Sequence, residues 1–201
     1  MLKLVSIDGT DPYIITLAEI KTHCHETGFD YDSMLTVLSK VAREYAEART
    51  WKQIIPATYV LYLDQFPEGI IELPKPPVIE VSSIKYYDTD DSIQTWDEDK
   101  YQVDLESEPA RIKPISSESY PSTYDRMNAV EITFKAGFDE TLGSENYKIP
   151  EKIKQAELLL IKHWYDNREA VLVSEGRSID SHEIPLTANA LLDAESARVF
   201  I

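Results

Sequence analysis

The chain has 201 residues, 43% of them hydrophobic and 28% charged, which is enough to bury one large core or two small ones. Its 36 acidic and 20 basic residues give a net charge of −16, which argues against a free-standing nucleic-acid-binding protein, because such proteins need a cationic surface. A single cysteine, Cys24, excludes an intrachain disulfide framework, and no apolar run reaches the ~20 residues that span a bilayer. The N-terminus is too polar for a signal peptide, so we expect a soluble cytoplasmic protein.

The N-terminal quarter predicts two helices after an extended start. Thr16 and Glu19 have the spacing of a capping box, and Gly28 is suited to follow a helix end. The second helix has an acidic cap and apolar residues at helical spacing. The predicted elements are an extended segment over 1–13, a helix from Thr16 to near Gly28, and a helix from Asp30 or Asp32 to about Trp51.

The middle of the chain predicts short β-strands. Alternating apolar residues are separated by turns, and the prolines of Leu73–Pro77 interrupt any helix or central strand. The acidic turn Asp88–Asp91 is typical of a hairpin tip. The predicted strands are Ala57–Leu63, Gly69–Leu73, Val78–Tyr87, Ser92–Trp96, Tyr101–Leu105, Ala110–Ile115 and Ala129–Ala136, with a loop over Ser116–Asn128.

A long helix over Ile149–Arg168 follows, with apolar residues on two faces, and it must dock on the N-terminal helices. A loop over 170–186 and a short helix over Thr187–Phe200 end the chain. We therefore expect an α+β fold in which residues 1–53 and 148–201 form a small helical bundle and residues 54–147 form a β-rich insertion.

The residues that suggest metal or catalytic chemistry have simpler explanations. His23, Cys24 and His25 are consecutive on a helix, so they point in different directions and cannot chelate one ion together. The acidic turn lacks the glycine and glutamate of an EF-hand loop, having Ile93 and Asp99 in their places. No nucleophile elbow or phosphate-binding glycine loop is present, so we expect no enzymatic activity and no cofactor.

The string His163–Arg168 is the most distinctive in the late helix, and two interpretations stay open. His163 on the apolar face is typical of a core histidine, Trp164 would then anchor the core, and Arg168 would complement the helix C-terminus. Alternatively, Trp164 and Arg168 form a subunit contact, because Trp, Tyr and Arg are enriched in interface hot spots.

The order of motifs resembles the head–tail connector proteins, also called adaptor or head-completion proteins, of long-tailed bacteriophages and prophages. The resemblance extends over about residues 14–200. Its C-terminal part departs from the family, which has a Pro-Tyr-Arg-like ending where this chain has Asp193–Arg198. The motifs that carry it are Thr16–Ile20, the helix Leu35–Trp51, Leu63–Pro67, Ile71–Val78, Val81–Asp88, Tyr101–Asp104, Val130–Gly137, Ile149-Pro150, His163–Glu169, Ile184-Pro185, and Leu191-Leu192 with Arg198.

This resemblance implies a structural virion protein, made in the host cytoplasm and located in the neck. Such proteins form a ring of about twelve subunits beneath the portal protein, extend the DNA channel without binding DNA specifically, and provide a platform for the stopper or tail. We expect Trp164 and Arg168 in the ring contact. The residues expected to reach the portal are Leu191, Leu192, Arg198 and Phe200.

Two alternatives remain on the sequence. The chain is a tail-completion or stopper-type component of the same virion, or it is a small metal-dependent hydrolase that uses His23, His25 and the acidic turn.

Overall fold

The structure is a computed structural model, and it describes residues 1–8, 14–167 and 185–197. The chain divides into two units, each with its own core. One unit, here the β unit, comprises Met1–Thr10 and Trp51–Lys148, and the other, the helical unit, comprises Asp11–Thr50 and Ile149–Ile201. Helices at both ends and a β-rich middle confirm the predicted α+β class.

The β unit contains two antiparallel sheets. The five-stranded sheet has the order β1-β2-β8-β4-β5, and the three-stranded sheet has the order β3-β7-β6. The strands are β1 Leu2–Ile7, β2 Ala57–Leu63, β3 Ile71–Leu73, β4 Val78–Tyr87, β5 Ile93–Thr95, β6 Tyr101–Asp104, β7 Ala110–Pro114 and β8 Val130–Ala136, with 3-10 turns at Glu98–Lys100, Glu140–Leu142 and Glu145–Tyr147.

Strict alternation along β2 and β8 builds the core of the β unit. Every second residue of β8 is buried, and three of the four partners across β2 are buried too, for example Phe134 opposite Tyr59 and Ile132 opposite Leu61. Phe66 and Tyr120 stack beside these strands, with ring centroids 5.1 Å apart. The alternation in sequence therefore does correspond to one buried sheet face.

Gly137 is required where β8 leaves the sheet. Its φ is +130°, and a Cβ there would come within 2.6 Å of the carbonyl oxygen of Ile55. Its own N–H donates to the carbonyl of Pro77 at 2.8 Å. A side chain at this position would strain the backbone and clash with the neighbouring segment.

The helical unit packs four described helices. One face of α2 is buried, and its buried residues recur at helical spacing from Leu35 to Thr50. Helix α3 contacts the other three, α1, α2 and α4. The helices are α1 Leu17–Cys24, α2 Asp32–Thr50, α3 Glu151–Asp166 and α4 Leu186–Asp193. Its core includes Ile20, Leu35, Ala42, Ala46, Ile153, Ala156, Leu160, Ile161, Ala188 and Leu192.

The start of the chain differs from the prediction. Residues 1–53 were expected with the helices, but Leu2–Ile7 forms β1, which pairs with β2 at the edge of the five-stranded sheet. Sequence pattern does not show this, since β1 is mostly exposed and lacks the burial that produces alternation.

Two helix ends differ as well. The Thr16–Glu19 capping box is present, but α1 ends at Cys24 rather than near Gly28, because His25 adopts the left-handed conformation (φ 60°). The final helix ends at Asp193, well before the predicted Phe200, which lies outside the described residues with Arg198. None of the helices in the described ranges has the length and apolar composition of a membrane-spanning segment.

Candidate functional site

The C-terminal half of α3 carries the predicted interface tryptophan, and its neighbours fix it. Trp164 is half-buried and meets Tyr45 of α2 edge-on, with ring centroids 6.1 Å apart. The hydroxyl of Tyr45 donates a hydrogen bond to Oδ1 of Asn189 on α4, at 2.8 Å. One aromatic pair and one hydrogen bond therefore connect three helices at this surface, and the indole keeps an exposed part that a partner can contact.

Polar contacts attach α4 and the residues after it to the helical unit. Arg49 forms an ion pair with Asp193 at 2.7 Å, and that hydrogen bond raises the pKa of Arg49. Past the helix, the N–H of Ala197 donates to the carbonyl of Thr50 at 2.9 Å. Lys152 of α3 also pairs with Glu195, at 2.8 Å. The chain is thus attached to the end of α2 as far as Ala197.

The predicted portal-contact residues occupy different environments. Leu192 is fully buried in the core of the helical unit, and Leu191 beside it is partly exposed. Arg198 and Phe200 lie outside the described residues, as does Arg168 of the predicted ring contact. Leu192 therefore serves the packing of α4 in this structure and is not part of its surface.

A buried acidic residue, Glu157 on α3, was not recognised from the sequence as a core residue. Its side chain is completely buried, and neither carboxylate oxygen has a hydrogen-bond partner among the described residues. Burial raises its pKa to about 8; the nearby Arg43 of α2 lowers the pKa, and Glu47 raises it. The spacing does contain a signal, because Glu157 follows Ile153 by one helical turn and precedes Ile161 by another on the buried face.

The histidines and cysteine of α1 occupy separate environments. Cys24 is buried, and burial raises the pKa of its thiol, whereas His25 is exposed just past the helix end and His23 is partly exposed. His163 on α3 is also only partly buried, and its carbonyl accepts a hydrogen bond from the Asn167 side chain at 2.8 Å. In the parts of the chain that the structure describes, no group of three or more His, Cys, Asp or Glu side chains is arranged to hold a metal ion.

The acidic turn between β4 and β5 is a hairpin tip, as its sequence predicts. Asp88 accepts hydrogen bonds from the N–H of Asp90 and of Ser92, both at 3.0 Å, and from the side chain of Gln94 at 2.8 Å. The bond from the backbone of Ser92 is the main cause of a lowered pKa for Asp88. This carboxylate therefore stabilises its own turn.

No model of a known protein family matches the chain, and no curated protein matches it. Solved structures do match the chain. A chain in the neck of an empty gene transfer agent particle, computed with C6 symmetry, has a TM-score of 0.71 at 24% identity. A chain in the virion of the native particle has a TM-score of 0.72 at 22% sequence identity. A chain in the neck of the native particle, computed with C12 symmetry, has a TM-score of 0.69 at 23% sequence identity. Each match covers 100% of this chain and 97% of the other.

The protein has the fold of these gene transfer agent particle chains. At these identities the likeness concerns the fold, and it extends over both units from end to end. The fold expected from the head–tail connector resemblance, helices at both ends and a β-rich middle, agrees with it.

Proposed function

We propose that this protein is a structural component of the neck of a phage or phage-like particle, a head–tail connector that forms a ring beneath the portal. The observation that carries the proposal is the full-length match to chains of gene transfer agent particles, two of them in structures of the neck. The order of motifs along the sequence supports the same class. The role is assembly rather than catalysis.

A ring of about twelve copies is supported by the symmetry of the neighbouring structures, whose necks were computed with C6 and C12 symmetry. The ring would extend the DNA channel from the portal and present a platform to the stopper or tail. A net charge of −16 suits a wall along which DNA slides, because a cationic wall would bind phosphates and retain the genome.

The portal contact is proposed for the C-terminal segment, with Leu191, Arg198 and Phe200 as its contact residues. Leu192 supports the segment from the core, since its side chain is fully buried. Attachment of Ala197 to Thr50 gives the last residues a defined point of departure from the helical unit.

Negative-stain electron microscopy tests the proposal, with the protein alone and mixed with the portal protein from the same genome. We expect rings of about twelve copies on one end of the portal. A chain that ends at Ala197 should keep its fold, because its buried α4 residues remain. It should lose portal binding, because the proposed contact residues Arg198 and Phe200 are removed. Copies that do not bind the portal but bind the tail end of the neck would favour the tail-completion or stopper alternative. Absence of binding to any neck component would overturn the proposal.

A further inference from the structure

Both edges of the five-stranded sheet are open within the described part of the chain. There, β1 pairs with β2 alone, and β5 pairs with β4 alone. Five of the six residues of β1 and all three of β5 are exposed or nearly so. Open strand edges present unpaired backbone groups that another strand can join.

The backbone of β1 is oriented to accept a further strand. Met1 and Tyr62 exchange two hydrogen bonds, at 2.6 and 2.7 Å, so they form a hydrogen-bonded pair of the antiparallel ladder. Because such pairs alternate with non-hydrogen-bonded ones, Leu2 and Leu4 direct their N–H and C=O groups away from β2. These groups lie along the open edge.

Two apolar side chains of β1 lie on the core-facing side of the sheet but are left exposed at its edge. Leu4 lies opposite Tyr59 and Ile7 opposite Ala57, and both partners are buried. Leu4 and Ile7 themselves are 46% and 49% exposed. An added strand would pair the free backbone groups and also bury apolar surface.

The two edges differ in charge. The β1 edge carries Lys3, while the carboxylate of Asp8 at its far end accepts hydrogen bonds from Ser6 and Thr58. Strand β5 follows the acidic turn Asp88–Asp91, in which Asp90 is exposed and Asp91 forms an ion pair with Arg126 at 2.8 Å. In a chain with a net charge of −16, two copies repel except where opposite charges meet, and Lys3 of one copy could meet the acidic turn of the next.

The symmetry of a ring requires two different surfaces on opposite sides of one subunit. Strands β1 and β5 are the opposite edges of one sheet, and they run in the same direction because every neighbouring pair between them is antiparallel. Resting on the ring of the proposed function, we infer that β1 of one copy adds in parallel to β5 of the next. The sheet then continues from subunit to subunit around the ring.

Disulfide cross-linking tests this contact. In a Cys24→Ala background, Leu4→Cys is combined in turn with Ile93→Cys, Gln94→Cys or Thr95→Cys, and rings assembled on the portal are oxidised. We expect at least one combination to give a ladder of covalent oligomers on a non-reducing gel. A bond within one copy is impossible, since four strand spacings separate the positions by about 19 Å and a disulfide needs Cα atoms within about 7 Å.

The single-cysteine variants are the matched controls and should stay monomeric. Covalent dimers from Leu4→Cys alone would indicate β1 pairing with β1, which overturns the inference. Rings without a ladder in all three combinations would also overturn it while leaving the proposed function intact. Absence of rings on the portal would refute the proposed function and this contact with it.

Blocking the edge is a second measurement. Leu4→Pro removes an N–H that faces away from β2, so β1 keeps its bonds to β2 while the added strand loses a partner. We expect loss of rings with Leu4→Pro but not with Leu4→Ala, at equal thermal stability. Lys3→Glu should reduce ring formation more than Lys113→Glu, which changes the same charge on an exposed position of β7. Equal ring yields for each pair would overturn the inference.

Discussion

At the scale of single residues, Glu157 is the side chain whose environment departs most from its chemistry. Burying an ionised carboxylate that has no hydrogen-bond partner among the described residues costs free energy. The folded protein therefore keeps the Glu157 carboxyl protonated up to about pH 8. The unfolded chain releases this proton near its ordinary pKa of 4.5. Between these values the folded state binds more protons, and this residue therefore lowers the free energy of unfolding as the pH rises from 4.5 to 8.

Glu157→Gln should remove that pH dependence. At pH 5 the variant should resemble the wild type, and at pH 9 it should be more stable, by on the order of 3 kcal/mol, because no charge has to be buried. Urea unfolding followed by circular dichroism between pH 5 and 9 measures the effect.

Glu151→Gln is the matched control, because Glu151 is exposed in the first turn of the same helix. Its pH profile should follow the wild type. An unchanged slope in Glu157→Gln would show that the buried carboxyl ionises at its ordinary pKa and that Arg43 compensates its charge.

At the scale of elements, α4 belongs to the core of the helical unit. Leu192→Ala should lower the free energy of unfolding by about 2–5 kcal/mol, because it leaves a cavity at a fully buried site. Leu186→Ala is the matched control on the same helix, where the side chain is 83% exposed, and it should change stability by about 0.5 kcal/mol or less. Thermal and denaturant unfolding compare them. Equal effects would mean that α4 does not pack as the structure describes.

This packing decides how the proposed portal contact can be tested. Deletion from residue 187 would remove Ala188 and Leu192 from the core, so lost portal binding could not be separated from lost folding. Truncation after Ala197 keeps the buried residues Ala188 and Leu192 and removes Arg198, Val199, Phe200 and Ile201.

At the scale of the whole molecule, assembly is the property on which the proposed function depends. Trp164→Ala with Arg168→Ala should abolish ring formation on the portal while the monomer stays folded, because the exposed part of the indole is proposed as a contact. Trp164→Phe with Arg168→Lys, which keeps a ring against Tyr45 and a positive charge, should retain part of the assembly. Ring counts by electron microscopy and unfolding curves measure both, and undiminished rings in the alanine pair would remove these residues from the interface.

Several elements were predictable because their signals are local. Strands β2 and β4 have the predicted bounds, since alternation and flanking turn residues define them without reference to the rest of the fold. The Thr16–Glu19 capping box and the hairpin around Asp88 were predictable for the same reason.

Other features depend on what lies opposite in space. Strand β1 has little burial of its own and exists because β2 supplies its hydrogen bonds. The end of α1 at Cys24 is an exception, since its cause is local: His25 adopts the left-handed conformation, which is more usual for a glycine such as Gly28. Of the predicted site, Trp164 is partly exposed as an interface residue must be, while Leu192 is a core residue.

The sequence by itself determined the α+β class, most strand and helix positions, the acidic character and the order of motifs that points to a virion connector. Only the tertiary structure decided the pairing of the N-terminal residues as β1, the burial of Glu157 and Leu192, and which strands of the five-stranded sheet have an open edge within the described residues. The physical reason is that periodicity and caps act within a few residues along the chain. Burial and strand pairing instead depend on segments far apart in the chain, such as β1 and β2, whose paired residues are 50 to 59 positions apart.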